Sequence, residues 1–186
     1  MVGCRSLGFI VSFERVGVKD NTVFQTRAAK AIMMNITTAT ISDIPSLCEL
    51  LNELFSQEEE FEPDYAAQSR GLACIIDHPE VGSILVARRQ DKIVGMVNLL
   101  YTVSTALGER VALLEDMVVS SAMRGSGIGS SLIERAIEHA RTNGCRRVTL
   151  LTDQTNHPAQ RFYAKHGFRA SAMVPLRLTL GDKNGS

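Results

Sequence analysis

Between Met123 and Leu132 the chain reads MRGSGIGSSL. Gly125, Gly127 and Gly129 alternate there, directly after Arg124. Ile128, Leu132, Ile133, Ala136, Ile137 and Ala140 then recur at helical spacing and predict a helix. The residues before the loop, RVALLEDMVV at 110–119, predict a strand. A strand, a stretch of bare backbone and a helix, in that order, restrict the fold more than any other feature of the chain. The first amides of a helix have no internal partner, and the helix dipole makes that end positive. Glycines clear the way for a phosphate to reach those amides, and Arg124 adds a fixed positive charge. The loop therefore reads as a cradle for a phosphate or pyrophosphate. The plainer reading is a tight turn that needs glycine for its backbone alone.

A P-loop is excluded, because no Gly-Lys-Ser/Thr follows the glycines. Gly125-x-Gly127-x-x-Ser130 is one residue from a dinucleotide fingerprint, and Asp153 lies beyond the next predicted strand, where a ribose-binding acid belongs. Against it, Ser120 to Arg124 separate Val119 from the first glycine, whereas the dinucleotide turn is tight. Only 57 residues follow Gly129, too few for the remaining βαβ units.

The other elements follow from periodicity and turn chemistry. Ile36 to Ile41 alternates as a strand. Ser42 or Asp43 can cap a helix carrying Ile44, Leu47, Leu50, Leu51 and Leu54 on one face. A weaker helix covers Ala66 to Ile76. Strands at 83–89 and 92–103 flank a Gln90-Asp91 hairpin turn. A strand at 146–152 follows the long helix, and Pro158 opens a short helix that Gly167 closes. Last comes SAMVPLRLTL at 171–180, a strand whose Pro175 marks an edge or a bulge. An antiparallel meander followed by one β-loop-α-β crossover predicts an α/β (α+β) domain. Its central sheet is mixed and mostly antiparallel, with about six to seven strands and helices on both faces. Residues 1–33 hold no clear period, so a single domain is expected over 34–186. The leading segment reads as a tail, an added strand, or residues upstream of a truer start at Met33 or Met34.

Lysine plus arginine balance aspartate plus glutamate at 20 each, which gives no push toward nucleic acid or membrane. No apolar run reaches the length of a membrane span. The four cysteines form no CxxC pair and the four histidines have no ligand spacing, so neither disulfides nor a metal is expected, and a reducing cytoplasm fits. The charge is unevenly distributed. From Asn35 to Glu80 there are ten acids against the single base Arg70, with the run SQEEEFEPD at 56–64.

Three segments in order, RGSGIG (124–129), LLEDMVV (113–119) and TNHPAQRFYAKHGF (155–168), resemble the GNAT acetyltransferase superfamily over roughly Asn35 to Leu180. The resemblance implies that Arg124, Gly125, Ser126, Gly127, Ile128, Gly129 and Ser130 hold the pyrophosphate of acetyl-CoA. It implies that Met117, Val118 and Val119 splay from the parallel neighbour and pair with the pantetheine arm. The amide of Val119 would then polarise the acetyl carbonyl. Asn156 would contact the same arm, serve as a helix N-cap, or do both. Tyr163 would stand beside the sulfur as general acid, since a phenol with a pKa near 10 stays protonated at neutral pH.

An alkylammonium with a pKa near 10.4 is neutral about once in 10^3.4 at pH 7, so the acceptor needs a base. Strand parity puts Glu115 on one face with Leu113, Met117 and Val119 and turns Asp116 away. The LED triplet also resembles the diamine acetyltransferase branch, which favours Glu115 as that base. In this fold the first two helices roof the acceptor pocket, so the acidic run would draw in a positively charged primary amine. Direct attack in a ternary complex is expected, because no cysteine sits in a motif. Homodimers are expected through the C-terminal strands. An acyl-CoA sensor without turnover and a nucleotide or dinucleotide binder are the alternatives.

Overall fold

The computed structural model describes residues 34–56, 63–178 and 180. The expectation for residues 1–33 lies outside them. The elements run β1 (Asn35–Thr38), α1 (Ile44–Phe55), α2 (Tyr65–Asp77), β2 (Gly82–Arg89), β3 (Lys92–Ser104), β4 (Glu109–Val119), α3 (Ile128–Thr142), β5 (Val148–Leu150) and α4 (His157–Lys165). The strands lie in sequence order in one mixed sheet. β1 to β4 form antiparallel neighbours, and β5 pairs parallel to β4 across the α3 crossover.

Local chemistry explains most of these boundaries. At the entry to α1 the Asp43 carboxylate accepts from the Thr40 amide at 2.8 Å and the Thr40 hydroxyl at 3.0 Å. It also accepts from Arg88 Nη2 on β2 at 2.6 Å. Burial pushes the Asp43 carboxyl up, but Arg88 and the Thr40 hydrogen bonds outweigh it and leave the pKa below its ordinary 3.8. Asp64 caps α2, accepting from the amides of Ala66 and Ala67. The β2–β3 hairpin turns through Gln90 and Asp91 at φ +50° and +63°, the left-handed pair that matches strand twist.

Helices cover both faces of the sheet, as expected. Leu47, Cys48 and Leu51 of α1 pack with Ile84, Val86, Met96 and Val118 on one face. Leu132, Ile133 and Ala136 of α3 pack with Leu85, Ala87, Val97 and Leu99 on the other.

Two expectations are corrected. The sheet has five strands among the described residues, not six to seven. The residues expected to form the last strand are not paired: Met173, Val174, Leu176 and Leu178 are 87%, 73%, 93% and 84% exposed. Apolar alternation alone does not make a strand, and Pro175 has no N–H to offer a ladder. β5 likewise shrinks from 146–152 to Val148–Leu150.

The second correction concerns strand parity. Val97 pairs with Met117 but Leu99 pairs with Leu114, so Glu115 and Asp116 together oppose Asn98. This is a β-bulge, one surplus residue that bends β4 and resets its faces. Ala112 and Leu114 pack on the α3 side, and so do Met117 and Val119. In an uninterrupted strand Asp116 would share the face of Leu114. The bulge instead leaves Glu115 exposed and turns Asp116 to the side of α1 and α2.

Candidate active site

After Val119 the chain makes a short 3-10 turn, Ser121–Met123, then runs extended through Arg124 into the glycines. Gly125 and Gly127 have φ +76° and +86°, a region that costs an L-residue roughly 1–2 kcal/mol. Gly127 is the N-cap of α3, with no side-chain capping hydrogen bond and no acid in the first turn. The leading amides of α3 are therefore not capped from within the loop. Ser126 Oγ donates instead to the Met123 carbonyl. Buried Ile128 anchors the start of the helix on the core.

The glycines thus divide. At Gly125 and Gly127 the backbone reading holds. Gly129 is helical, and a methyl there would lie 3.6 Å from the Phe162 ring and 3.8 Å from Met117, which are ordinary contacts. Gly127→Ala should cost about 1–2 kcal/mol of stability. Gly129→Ala should leave stability unchanged or raise it by about 0.5–1 kcal/mol. Thermal melts of the two variants check the contrast.

β5 pairs with β4 only at Ala112, Leu113 and Leu114. Beyond the bulge, Met117 to Val119 keep β3 on one side and have left β5 on the other. The Ser120 amide donates to the Val94 carbonyl on β3 at 3.0 Å. Backbone direction alternates along a strand, so the amide and carbonyl of Val119 face the departed side. Arg124 Nε donates to that Val119 carbonyl at 3.1 Å.

α4 supplies the next wall. Asn156 caps it, its Oδ1 accepting from the Ala159 amide at 3.1 Å, so the capping half of that expectation is met. Tyr163 packs edge-on against Phe162 and Phe168, with ring centroids 5.2 and 5.7 Å away. Its hydroxyl lies 3.9 Å from Met117 Sδ on the strand that left β5. Burial raises the phenol's pKa above its ordinary 10, which keeps it protonated.

On the other face, a cavity of about 290 Å³ lies between α1, α2 and the β3–β4 bulge. Asp64, Gln68, Asn98 and Asp116 give it polar walls, and Leu51 and Phe55 give it apolar ones. Asn98 Nδ2 donates to Asp116 Oδ2 at 3.3 Å. Glu115, expected at the site, is not on this lining, whereas Asp116 is. Gln68 and Asn98 were not expected there. The one signal for Asn98 was its polarity inside IVGMVNLLY, an otherwise apolar strand. Glu53 of α1 accepts from the Ser121 amide at 2.9 Å, tying this roof to the turn before the glycines.

Residues 44–168 match the model of the acetyltransferase (GNAT) family. The chain belongs to the GNAT acetyltransferase family. Within this GNAT chain, 133 residues are 33% identical to the aminoalkylphosphonate N-acetyltransferase of Salmonella typhimurium, covering 72% of the chain and 83% of that relative. Over 80 residues the chain is 39% identical to glucosamine 6-phosphate N-acetyltransferase of Trypanosoma brucei brucei, covering 42% of this chain and 52% of that relative. Among solved structures, one described as a transcriptional regulator from Bacillus halodurans superposes with a TM-score of 0.68 at 30% identity, over 80% of this chain and all of that one. In this GNAT domain no helix among the described residues is long and apolar enough to cross a membrane. Nor do the described residues include a group of three or more His, Cys, Asp or Glu side chains able to hold a metal.

Proposed function

We propose that this GNAT chain moves an acetyl group from acetyl-CoA to the primary amine of a small, positively charged acceptor, by direct attack with both substrates bound. One observation carries the reading. β4 parts from β5 after Leu114, and an uncapped helix N-terminus begins just beyond that opening. An anionic pyrophosphate fits the loop from Arg124 to Ser130, where neither a side-chain cap nor a first-turn acid occupies or opposes the start of the helix. Met117, Val118 and Val119 would pair with the pantetheine arm as an added strand. The outward amide of Val119 would polarise the acetyl carbonyl as negative charge develops on it.

Tyr163, half-buried and protonated, would donate to the departing thiolate. The incoming ammonium must lose a proton, at a cost of roughly 4.6 kcal/mol at pH 7 for a pKa near 10.4. Asp116 lines the cavity and Glu115 is exposed, so the proton is assigned to Asp116. Two relatives, an aminoalkylphosphonate N-acetyltransferase and a glucosamine 6-phosphate N-acetyltransferase, support an amine acceptor.

The test is release of free CoA from acetyl-CoA by the full chain across a panel of primary amines. Turnover with at least one amine is expected. Folded protein that binds CoA by calorimetry but turns over no amine would reject the reaction.

A further inference from the structure

One glycine in the wall of the cavity has no local reason to be a glycine. Gly71 stands at the middle of α2, which runs from Tyr65 to Asp77. Glycine weakens a helix interior, because it gives up more backbone freedom than any residue with a Cβ. Two needs offset that cost elsewhere in the chain. Gly125 and Gly127 have positive φ, and a Cβ on Gly82 would stand 2.5 Å from the Leu99 carbonyl oxygen. Gly71 has neither need. Its φ is not positive, and beyond the backbone of its own helix no described atom lies within 4 Å of where its Cβ would stand. It is the one described glycine of which both are true.

What a side chain at this position would fill is the cavity. Ala67, Gln68, Leu72 and Ile75 line it together with Gly71, a spacing that sets one face of α2 against the space. Long side chains on a helix lean over the turn before them. From position 71 that turn carries Ala67 and Gln68, so a longer residue would lie across the lining. At about 30 Å³ for each heavy atom, the cavity of about 290 Å³ holds roughly ten. A leucine side chain would claim about four of those places and leave room for about six. Leu51 and Phe55 of α1 give the cavity its facing apolar wall, which suits a hydrocarbon body. With the acceptor nitrogen at Asp116, on the sheet, that body lies between α1 and α2.

We propose that Gly71 is a specificity-determining residue of the acceptor pocket. Its missing side chain is the room taken by the apolar body of a primary amine larger than about six heavy atoms and no larger than about ten. This rests on reading the chain as an N-acetyltransferase.

Gly71→Ala and Gly71→Leu in the full chain test it. Neither should lower the melting temperature, and alanine should raise it by about 2–4 °C, since a better helix former replaces glycine. CoA release is then followed with propylamine, which fits beside a leucine, and with heptylamine, which exceeds the room left beside one. The wild type should use both. Gly71→Leu should raise the heptylamine KM about tenfold, the worth of two methylenes kept out of an apolar site. It should leave the propylamine and acetyl-CoA KM values unchanged. Calorimetric titration of heptylamine into protein with CoA should show the same tenfold weakening.

An unchanged heptylamine KM in Gly71→Leu overturns the assignment and leaves the N-acetyltransferase reading intact. So does a wild type that turns over propylamine but not heptylamine. A rise of both amine KM values together, or a lower melting temperature in Gly71→Ala, also overturns it, because a merely structural role behaves that way. Heptylamine heat that Gly71→Leu weakens, with no turnover of either amine, supports the pocket and overturns the reaction. Neither heat nor turnover overturns both.

Discussion

Tyr163→Phe lowers kcat by about 100- to 10,000-fold, the usual range for loss of a positioned general acid, and leaves acetyl-CoA affinity nearly intact. The hydroxyl's partner in the structure is Met117 Sδ at 3.9 Å, a weak acceptor, so its loss removes little that holds the fold together. The ring contacts with Phe162 and Phe168 survive in phenylalanine. Burial lifts the phenol's pKa above 10, so the acid-dependent limb of the wild-type rate profile lies on the alkaline side of that value. Steady-state kinetics from pH 7 to 10.5, with a CoA titration of each protein, decide the matter. An unchanged kcat beside a large loss of affinity would remove Tyr163 from the chemistry and return it to packing.

The largest stability effect is expected far from the loop. Asp43→Ala should cost about 3–5 kcal/mol, because it leaves the Arg88 guanidinium uncompensated in a largely buried position and removes the turn that starts α1. At roughly 2–4 °C per kcal/mol for a domain of this size, the melting temperature should fall by about 6–20 °C. The pH dependence has a definite sign. The folded carboxyl titrates below 3.8, so the unfolded chain binds the proton more readily. The contribution is complete above the unfolded value and drains away as pH falls through the folded one. Urea melts at pH 7 and near pH 3 should show the two proteins far apart in the first and closer together in the second. A constant difference at both pH values would mean that lost packing, rather than the ion pair, carries the effect.

Much of this architecture could be read along the chain because it depends on neighbours in sequence. The apolar spacing of α3, the Gln90-Asp91 turn and the Pro158-to-Gly167 bounds of α4 are all local features. The glycine loop and the aromatic pair of α4 could be found for the same reason. What stayed hidden is set by pairing. Nothing within LLEDMVV says that two of its residues oppose Asn98 alone, so alternation assigned the inner carboxylate to Glu115 when the register assigns it to Asp116. Gln68 and Asn98 look like ordinary polar residues until α2 and β3 are brought to one cavity. Residues 171–180 show the opposite failure, a strand-like pattern that finds no edge among the described residues.

Glu115 repays a last look, since its presence in the chain matters more than its side chain. Excising it would let β4 run flush against β3 while keeping Asp116, Met117 and Val119 on their present sides. Yet the ribbon would lose the crook that steers it off its parallel companion. A shortened protein of that kind should keep its hydrophobic interior and shut the slot proposed for the thioester, separating foldability from turnover with a single missing codon.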